Sequence, residues 1–203
     1  MHATAGYGLL EGSASGVTIN DVDGTRFIDC PCAGGVFNLG HRHPEVAHMP
    51  ATATRDTDMG DWMLLSTTRA QTAGKRAQAA PGNLNRVQFA VAGGEAIEAA
   101  CKFARGTSAR PNIVTMDKAY HCFVGFGLAV APGSINARYG RLTLGIVPVP
   151  RGDMDAALQA VDSNMAAVLL ETAQGLAGAL LPRAGYLRAL RSPCDEHGAA
   201  DTR

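Results

Sequence analysis

From residue 86 onward, short apolar runs alternate with stretches in which apolar residues recur at helical spacing. Short apolar runs between turn signals favour buried strands, and apolar residues at every third or fourth position favour helices. This alternation indicates βαβ units around a mostly parallel sheet. The predicted strands are 86–90, 112–116, 144–149 and 166–171, and the predicted helices are 95–105, 153–161 and 185–191.

The N-terminal part of the chain follows a different pattern. Residues 16–29 predict two short strands around a turn at Asp23-Gly24, where glycine supplies the positive φ that a tight hairpin needs. A helix is predicted over 66–80 and ends before a Pro-Gly pair. We therefore expect a boundary near residue 60. The predicted domains are 1–60 and 61–203.

Composition is typical of a soluble globular protein. Of 203 residues, 46% are hydrophobic and 18% are charged, and 18 Lys and Arg balance 18 Asp and Glu. This balance gives no reason to expect nucleic acid or an anionic membrane as a partner. The N-terminus does not resemble a secretory signal, and no apolar run approaches the ~18 residues that span a bilayer. Five cysteines in a chain of this length indicate reduced thiols, so we predict a cytoplasmic protein.

A glycine pair between a predicted strand and a predicted helix is the first candidate binding site. Gly93 and Gly94 precede the helix that begins at Glu95. Ligands of open α/β sheets bind at the carboxyl ends of strands, and the free amides of a first helical turn attract phosphate. The spacing is not G-x-G-x-x-G, so a nucleotide-binding Rossmann domain is weakly supported. The alternative is a plain glycine-rich turn in which Glu95 is a favourable first-turn charge.

Two further candidates follow other predicted strands. Tyr120 and His121 lie just beyond strand 112–116 and could offer an aromatic face and a proton carrier to a planar ligand. Glu171 ends the apolar run 166–171, where a carboxylate must be solvated or paired with a specific group. The alternatives are a core tyrosine beside a hydrogen-bonded histidine, and a plain cap or loop acid.

Metal-binding and hydrolytic functions have less support. The cysteines and histidines could supply zinc ligands, although their spacing is narrower than structural zinc sites usually show. The residues concerned are Cys30, Cys32, His41 and His43, with Cys194 and His197 as a further pair. Small buried thiols and loop histidines are the favoured interpretation. The sequence contains no Gly-x-Ser-x-Gly elbow, P-loop or His-Glu-x-x-His motif, so hydrolase and kinase functions have no local support.

Several segments are more informative in their order than any one is alone. They are DGTRFID at 23–29, LGHRHPEV at 39–46, residues 89–100 with 102–105, Tyr120-His121, ETAQG at 171–175, and GYLR at 185–188 with CDEHG at 194–198. This ordered set resembles the front half of a class III aminotransferase, a family of pyridoxal-phosphate enzymes of fold type I.

The resemblance implies a fold class and a set of site residues. The fold would be α/β, an incomplete fold type I large domain (a mostly parallel sheet flanked by helices) after a small N-terminal β-hairpin segment. Residues 1–60 would belong to the small domain and 61–203 to the cofactor-binding large domain. Gly93 and Gly94 would hold the phosphate of pyridoxal 5'-phosphate, Tyr120 with His121 beside it would cover the ring, and Glu171 would lie near cofactor and substrate.

The sequence also departs from the family pattern. Gly94 replaces the more usual Ser or Thr, and Cys122 stands where glycine is more usual. The family's Schiff-base lysine and the aspartate that pairs with the pyridine nitrogen have no counterpart here. Among the lysines, Lys75 and Lys102 lie in predicted helices and Lys118 precedes the Tyr-His pair.

We therefore expect a transaminase by family, truncated before its catalytic lysine and inactive alone. Its partners would be an amino donor, a keto or aldehyde acceptor and, as is typical of the family, a second subunit that completes the site. The identities of donor and acceptor are not encoded in these motifs. The alternative is a non-catalytic fragment that binds pyridoxal phosphate or phosphate, or an interaction module, because missing strands would leave a sheet edge open.

Overall fold

The computed structural model describes residues 10–56, 65–131, 139–140, 142–198 and 200–202. The chain divides into two compact units, Met1–Arg76 and Ala77–Arg203. The predicted boundary near residue 60 lies within 57–64, outside the described residues, so the domains 1–60 and 61–203 stay a prediction. Within the described ranges, no helix is both long and apolar enough to cross a membrane.

The first unit contains an antiparallel sheet in the order β1-β2-β3. Its strands are β1 (Glu11–Ser15), β2 (Thr18–Asp21) and β3 (Arg26–Ile28). The predicted hairpin is confirmed as β2–β3, because Gly24 turns the chain with φ of 83° and Asp21 Oδ1 accepts the N–H of Thr25 at 2.8 Å. Strand β1 was not predicted, since its sequence EGSAS has no alternating apolar residues.

Three further elements belong to or begin in this unit. They are α1 (Cys32–Gly35), a single turn with positive φ throughout, α2 (Pro44–Asp56), and α3 (Thr67–Ala79), which continues into the second unit. Helix α3 confirms the prediction over 66–80. Helix α2 was not predicted, and it contains Pro50, a residue that disfavours helix interiors.

The zinc alternative gains no support from the structure. His41 Nε2 lies 2.7 Å from Asp29 Oδ2, and the two side chains are 8% and 9% exposed. The backbone N–H of Cys32 donates to the other oxygen of the same carboxylate at 2.9 Å. Within the described ranges, no group of three or more His, Cys, Asp or Glu residues is arranged to hold a metal ion. His41 therefore has a structural partner, which fixes the loop that follows β3.

The second unit is built on a parallel sheet in the order β5-β4-β6-β7. Helices flank the strands in the alternation that the sequence predicted. In chain order the elements are α4 (Gly93–Ser108), β4 (Asn112–Met116), α5 (Gly125–Ala129), β5 (Ile146–Val149), α6 (Met154–Ala160), β6 (Met165–Leu169), α7 (Tyr186–His197) and β7 (Ala200–Thr202). This α/β architecture with a small antiparallel sheet before it confirms the predicted fold class.

The two faces of this sheet carry separate cores. On one face Val114 and Val168 pack with residues of α6 and α7, among them Leu190. On the other face Ile113 and Leu169 pack with residues of α4 and α5. Strands β4 and β6 are buried on both sides, which explains why each is a continuous apolar run in the sequence.

One predicted strand is wrong. Residues 86–90 form no strand in the structure, although the apolar Val87 and Phe89 are separated by one polar residue, as in a strand. Strand formation requires a neighbouring strand to accept its backbone hydrogen bonds. The four strands of the parallel sheet pair with one another, and none pairs with 86–90.

Candidate functional site

The candidate site residues are held by loops at the carboxyl ends of β4 and β6 and by the N-terminus of α4. Ala92 is extended (φ −149°, ψ 165°), and its carbonyl accepts the first helical hydrogen bond of α4 from Ala96 at 3.1 Å. The N–H groups of Gly93, Gly94 and Glu95 have no acceptor among the described residues. Free amides at the positive end of a sixteen-residue helix make an anion-binding surface.

The side chain of Glu95 folds back onto the turn that precedes the same helix. Its Oε2 accepts the N–H of Val91 at 2.6 Å, so the carboxylate closes the turn that precedes the helix. This contact realises the alternative interpretation, in which Glu95 is a first-turn charge. The cap and the free amides coexist, because Glu95 bonds to Val91 and leaves the amides of 93–95 without a protein acceptor.

The loop after β4 packs directly on this helical turn. A Cβ added to Gly94 would lie 2.5 Å from Val124 Cγ2 and 3.3 Å from Cys122 Cβ, and one added to Gly93 would lie 3.4 Å from Cys122 Sγ. Cys122 has φ of 68°, a conformation that favours glycine. Gly94 and Cys122, the two residues that depart from the family pattern, are therefore neighbours. Position 94 lacks the side chain that is usual in the family, and position 122 has one where glycine is usual.

Tyr120 and Glu171 are joined by a hydrogen bond. The backbone N–H of Tyr120 donates to Glu171 Oε1 at 2.7 Å, and the Tyr120 ring is 38% exposed with its centroid 5.3 Å from that of Phe123. Burial, and to a smaller extent the neighbouring Cys122 thiol, raises the pKa of Tyr120 above its usual value. The ring is thus a neutral, partly open aromatic surface next to Cys122, which itself packs on the helix turn.

His121 is buried next to this surface. His121 is 5% exposed, and its Nε2 has no hydrogen-bond partner among the described residues. Burial lowers the pKa of His121, and the carboxylate of Glu171 opposes this effect only in part. His121 is consequently a neutral imidazole near pH 7 with one nitrogen unused.

Glu171 also fixes the loop after β6. Its Oε2 accepts the N–H of Gly175 at 3.2 Å, while Gln174 Nε2 donates to the Asp117 carbonyl at 3.1 Å. Gln174 further exchanges two backbone hydrogen bonds with Leu180, at 3.0 and 3.1 Å. The loops after β4 and β6 are therefore connected through Glu171 and Gln174.

All five predicted site residues lie in the second unit. Tyr120, His121 and Glu171 are associated directly, and the segment 120–124 brings them to Gly93 and Gly94. The sequence interpretation missed Glu98, whose Oε2 accepts the N–H of Phe126 at 2.7 Å and so holds the start of α5. An acidic residue in the middle of a helix gives no signal for such a contact.

Comparison with known proteins places this arrangement in a family. The profile described as aminotransferase class-III matches residues 9–200. The chain belongs to the class-III aminotransferase family. Members of this family are pyridoxal-phosphate-dependent enzymes, as predicted from the ordered motifs.

A relative in sequence agrees with this assignment, and solved structures share the fold. An uncharacterized aminotransferase of Archaeoglobus fulgidus is 42% identical over 193 residues, which are 95% of this chain and 46% of the relative. The ornithine aminotransferase of Toxoplasma gondii superposes with a TM-score of 0.85 at 20% identity, covering 95% of this chain and 48% of that one. The taurine:2-oxoglutarate aminotransferase of Bifidobacterium kashiwanohense, solved with pyridoxal phosphate and glutamate, gives 0.86 at 23% identity, covering 95% and 49%.

These comparisons confirm the predicted fold class and show how much of each related protein the chain covers. The two solved aminotransferases have the same fold over nearly all of this chain. The chain spans about half the length of the curated relative and of the solved structures that it matches.

Proposed function

We propose that this chain supplies the phosphate-binding and ring-binding part of a pyridoxal-phosphate-dependent transaminase. Such an enzyme moves an amino group between an amino donor and a keto or aldehyde acceptor. The observation that carries the proposal is the segment 120–124. Its residues Cys122 and Val124 pack on the first turn of α4, and its first residue, Tyr120, is anchored by Glu171. Membership of the class-III aminotransferase family supports the same cofactor.

The residues present fit pyridoxal phosphate. The amides of Gly93, Gly94 and Glu95 are free to donate to phosphate oxygens, and charge-assisted bonds of this kind are strong. The half-open Tyr120 ring suits a planar aromatic ligand. His121 Nε2, buried without a partner, is a polar atom available to a ligand or an ordered water.

Each side chain has a distinct role in this proposal. The first turn of α4 binds the phosphate, Tyr120 covers one face of the ring, and His121 stays neutral beside it. Glu171 holds the Tyr120 loop in place through the backbone and is near enough to His121 to bias its protonation. When bound, the cofactor supplies an electron sink for reactions at the carbon that bears the amino group.

The chain alone is proposed to be non-catalytic. Its lysines are Lys75, Lys102 and Lys118. Lys102 pairs with Glu98 at 3.2 Å on the exposed side of α4, and Lys75 lies within α3. None matches the motif context of the family's Schiff-base lysine, so we expect turnover of amino donors to be negligible.

The oligomeric state and the cellular location are also proposals. The family resemblance supports a homodimer with the site at the subunit interface. None of the five cysteines is in a disulfide bond, which supports a reducing compartment and hence the cytoplasm.

The binding part of the proposal is testable with a cofactor analogue that cannot react with lysines. Pyridoxine 5'-phosphate and pyridoxine share the ring and lack the aldehyde, so isothermal titration of the full chain measures only non-covalent binding. We expect the phosphorylated form to bind at least about a hundredfold more tightly, because two or three charge-assisted hydrogen bonds of ~1.5–3 kcal/mol each are added. Equal affinities for the two compounds contradict the phosphate site.

A matched pair of variants tests the ring surface. Tyr120→Phe keeps the aromatic face and should bind pyridoxine 5'-phosphate like the original chain, whereas Tyr120→Ala should weaken binding by about three- to tenfold. A parallel assay of amino transfer with pyridoxal phosphate should give no turnover above the protein-free reaction. Turnover at ordinary enzymatic rates would overturn the proposal that the chain alone is non-catalytic.

A further inference from the structure

The thiol of Cys122 lies against the first turn of α4. A Cβ added to Gly93 would lie 3.4 Å from Cys122 Sγ. Because the N and Cβ atoms of a residue are joined through Cα by two bonds of about 1.5 Å each, Sγ lies within about 6.5 Å of the Gly93 nitrogen. The N–H groups of Gly93, Gly94 and Glu95 have no acceptor among the described residues. The thiol is therefore at the edge of the space that a phosphate held by these amides would occupy.

This thiol differs from the other cysteines in its position. Cys101 and Cys194 are buried, whereas Cys122 is partly exposed and is in no disulfide bond. Burial and, to a smaller extent, the neighbouring Cys122 thiol raise the pKa of Tyr120, so the thiol lies beside the Tyr120 side chain. Cys122 therefore adjoins both the first turn of α4 and the aromatic surface proposed to cover the cofactor ring.

The preceding residue shows that this place lacks a ligand. His121 is 5% exposed, and its Nε2 has no hydrogen-bond partner among the described residues. Burial lowers the pKa of His121 and the Glu171 carboxylate opposes this effect, so the imidazole lies near the loops that meet at Glu171. A buried ring nitrogen requires a partner, which a bound ligand or an ordered water supplies. Cys122 thus lies in a site that the described protein groups leave incomplete.

We infer that Cys122 is a site of reversible modification, at which a mixed disulfide excludes phosphate from the first turn of α4 and a bound phosphate shields the thiol. An S–S bond of about 2 Å places a second sulfur and its substituent beyond Sγ. These atoms cannot lie between Gly94 and Val124, since even a Cβ at Gly94 would be 2.5 Å from Val124 Cγ2. Because the excluded ligand is the phosphate of the proposed cofactor, this role of Cys122 rests on the proposed function.

The chemistry is thiol–disulfide exchange with a small disulfide. The Cys122 thiolate attacks one sulfur of the small disulfide, and the bond between its two sulfurs breaks as the new S–S bond to Cys122 forms. The departing half leaves with the electron pair as a thiolate and takes up the proton that Cys122 released. Cys122 is oxidised and the small disulfide is reduced, and a free thiol reverses the reaction. Disulfides in reducing compartments are typically transient and redox-sensing in this way.

Labelling with methyl methanethiosulfonate tests whether phosphate shields the thiol. The reagent transfers a methylthio group to a thiolate and releases methanesulfinate, and mass spectrometry of peptides gives the rate at each cysteine. Pyridoxine 5'-phosphate at ten times its dissociation constant should slow the labelling of Cys122 about tenfold, because only the free protein reacts. Cys30 is exposed in the first unit, and its rate should stay the same. Equal Cys122 rates with and without pyridoxine 5'-phosphate overturn the inference, as does a Cys122 that is never labelled.

Isothermal titration tests whether the modified thiol excludes phosphate. The labelled chain should bind pyridoxine 5'-phosphate at least about tenfold more weakly, and dithiothreitol should restore the affinity. Cys122→Gly suits the φ of 68° at this position, and its affinity should be the same before and after treatment. Cys30→Ser should lose affinity on treatment as the original chain does. A loss of affinity in treated Cys122→Gly assigns the effect to another cysteine and overturns the inference.

Failure of this inference and failure of the proposed function give different results. If the untreated chain binds pyridoxine 5'-phosphate and pyridoxine equally, the phosphate site is contradicted and the role of Cys122 falls with it. If the untreated chain prefers the phosphorylated compound and labelling of Cys122 leaves that preference unchanged, the proposed function stands and the role of Cys122 is wrong.

Discussion

At the residue scale, Gly94 and Gly106 lie in the same helix, but Gly94 is closely packed and Gly106 has open space around it. A Cβ at Gly94 would lie 2.5 Å from Val124 Cγ2, whereas a Cβ at Gly106 would meet nothing within 4 Å. Gly106→Ala should therefore raise the free energy of unfolding by ~0.5–1 kcal/mol, because alanine loses less backbone entropy in a helix. Gly94→Ala should lower it by ~1–3 kcal/mol through overpacking.

Urea denaturation of the two variants measures whether each substitution raises or lowers the free energy of unfolding. The double variant Gly94→Ala/Val124→Ala removes the Cγ2 atom and should recover part of the loss, measured against Val124→Ala alone. Stabilisation by Gly94→Ala would contradict the contact between the loop and the helix, and with it the explanation for glycine at a position where the family more often has a hydroxyl residue.

His121 should make stability depend on pH in one direction. Burial lowers its pKa in the folded protein from the ordinary 6.5, so the unfolded chain binds the proton more readily. Above about 6.5 both states are neutral and the contribution is complete; as the pH falls below that value, it is lost until the folded pKa is reached. His121→Gln should lose less stability between pH 7.5 and 5.5 than the original chain. Parallel stability curves in urea, one for each protein, would contradict this expectation.

The predictability of the site differs from residue to residue. Tyr120 and Glu171 could be singled out from sequence because each follows an apolar run that became β4 or β6, and strand ends carry ligand sites in such sheets. The contact of Glu98 with Phe126 N could not, since it depends on how the loop before α5 folds back on α4. Distances between loops are tertiary information that residue spacing does not contain.

At the element scale, α7 carries a proline in its interior. Pro193 has no N–H to donate to the carbonyl one turn earlier, yet the helix extends to His197 and buries Cys194 at 1% exposure. The packed face of the helix offsets the missing hydrogen bond. Pro193→Ala should raise the free energy of unfolding by ~1–3 kcal/mol. Chemical denaturation checks this against Ser192→Ala, an exposed change expected to stay within ~0.5 kcal/mol. Equal effects of the two substitutions would mean that the helix is already broken at Pro193.

The elements best predicted from the sequence are the strands that are buried on both faces of the sheet. Strands β4 and β6 are covered on both faces, so their apolar runs have one structural solution. Residues 86–90 have strand-like spacing of Val87 and Phe89 but no strand partner, which the local pattern could not reveal. Helix α2 was missed because its side chains over 44–55 are exposed, so its sequence has no apolar periodicity.

At the scale of the whole molecule, the buried side chains are concentrated in one unit. Both apolar clusters belong to Ala77–Arg203. Among the described residues of Met1–Arg76, Ala14 and His41 are the buried ones. Apolar burial supplies most of the favourable free energy of folding, so the second unit has its own stabilising core, whereas the described residues of the first unit bury little apolar surface.

This difference predicts the order in which backbone amides exchange with solvent. Amides of β4 and β6 lie between two packed faces and should exchange only on global unfolding, while those of β1, β2 and β3 should exchange by local opening. Hydrogen exchange followed by mass spectrometry should show the β2–β3 hairpin exchanged at least about a hundredfold sooner than β4. Arg26→Ala, an exposed change in β3, should leave the β4 rate unchanged, whereas Val114→Ala should raise it by opening a cavity in the core. Equal protection of β2 and β4 in the original chain would mean that the antiparallel sheet unfolds only together with the parallel one.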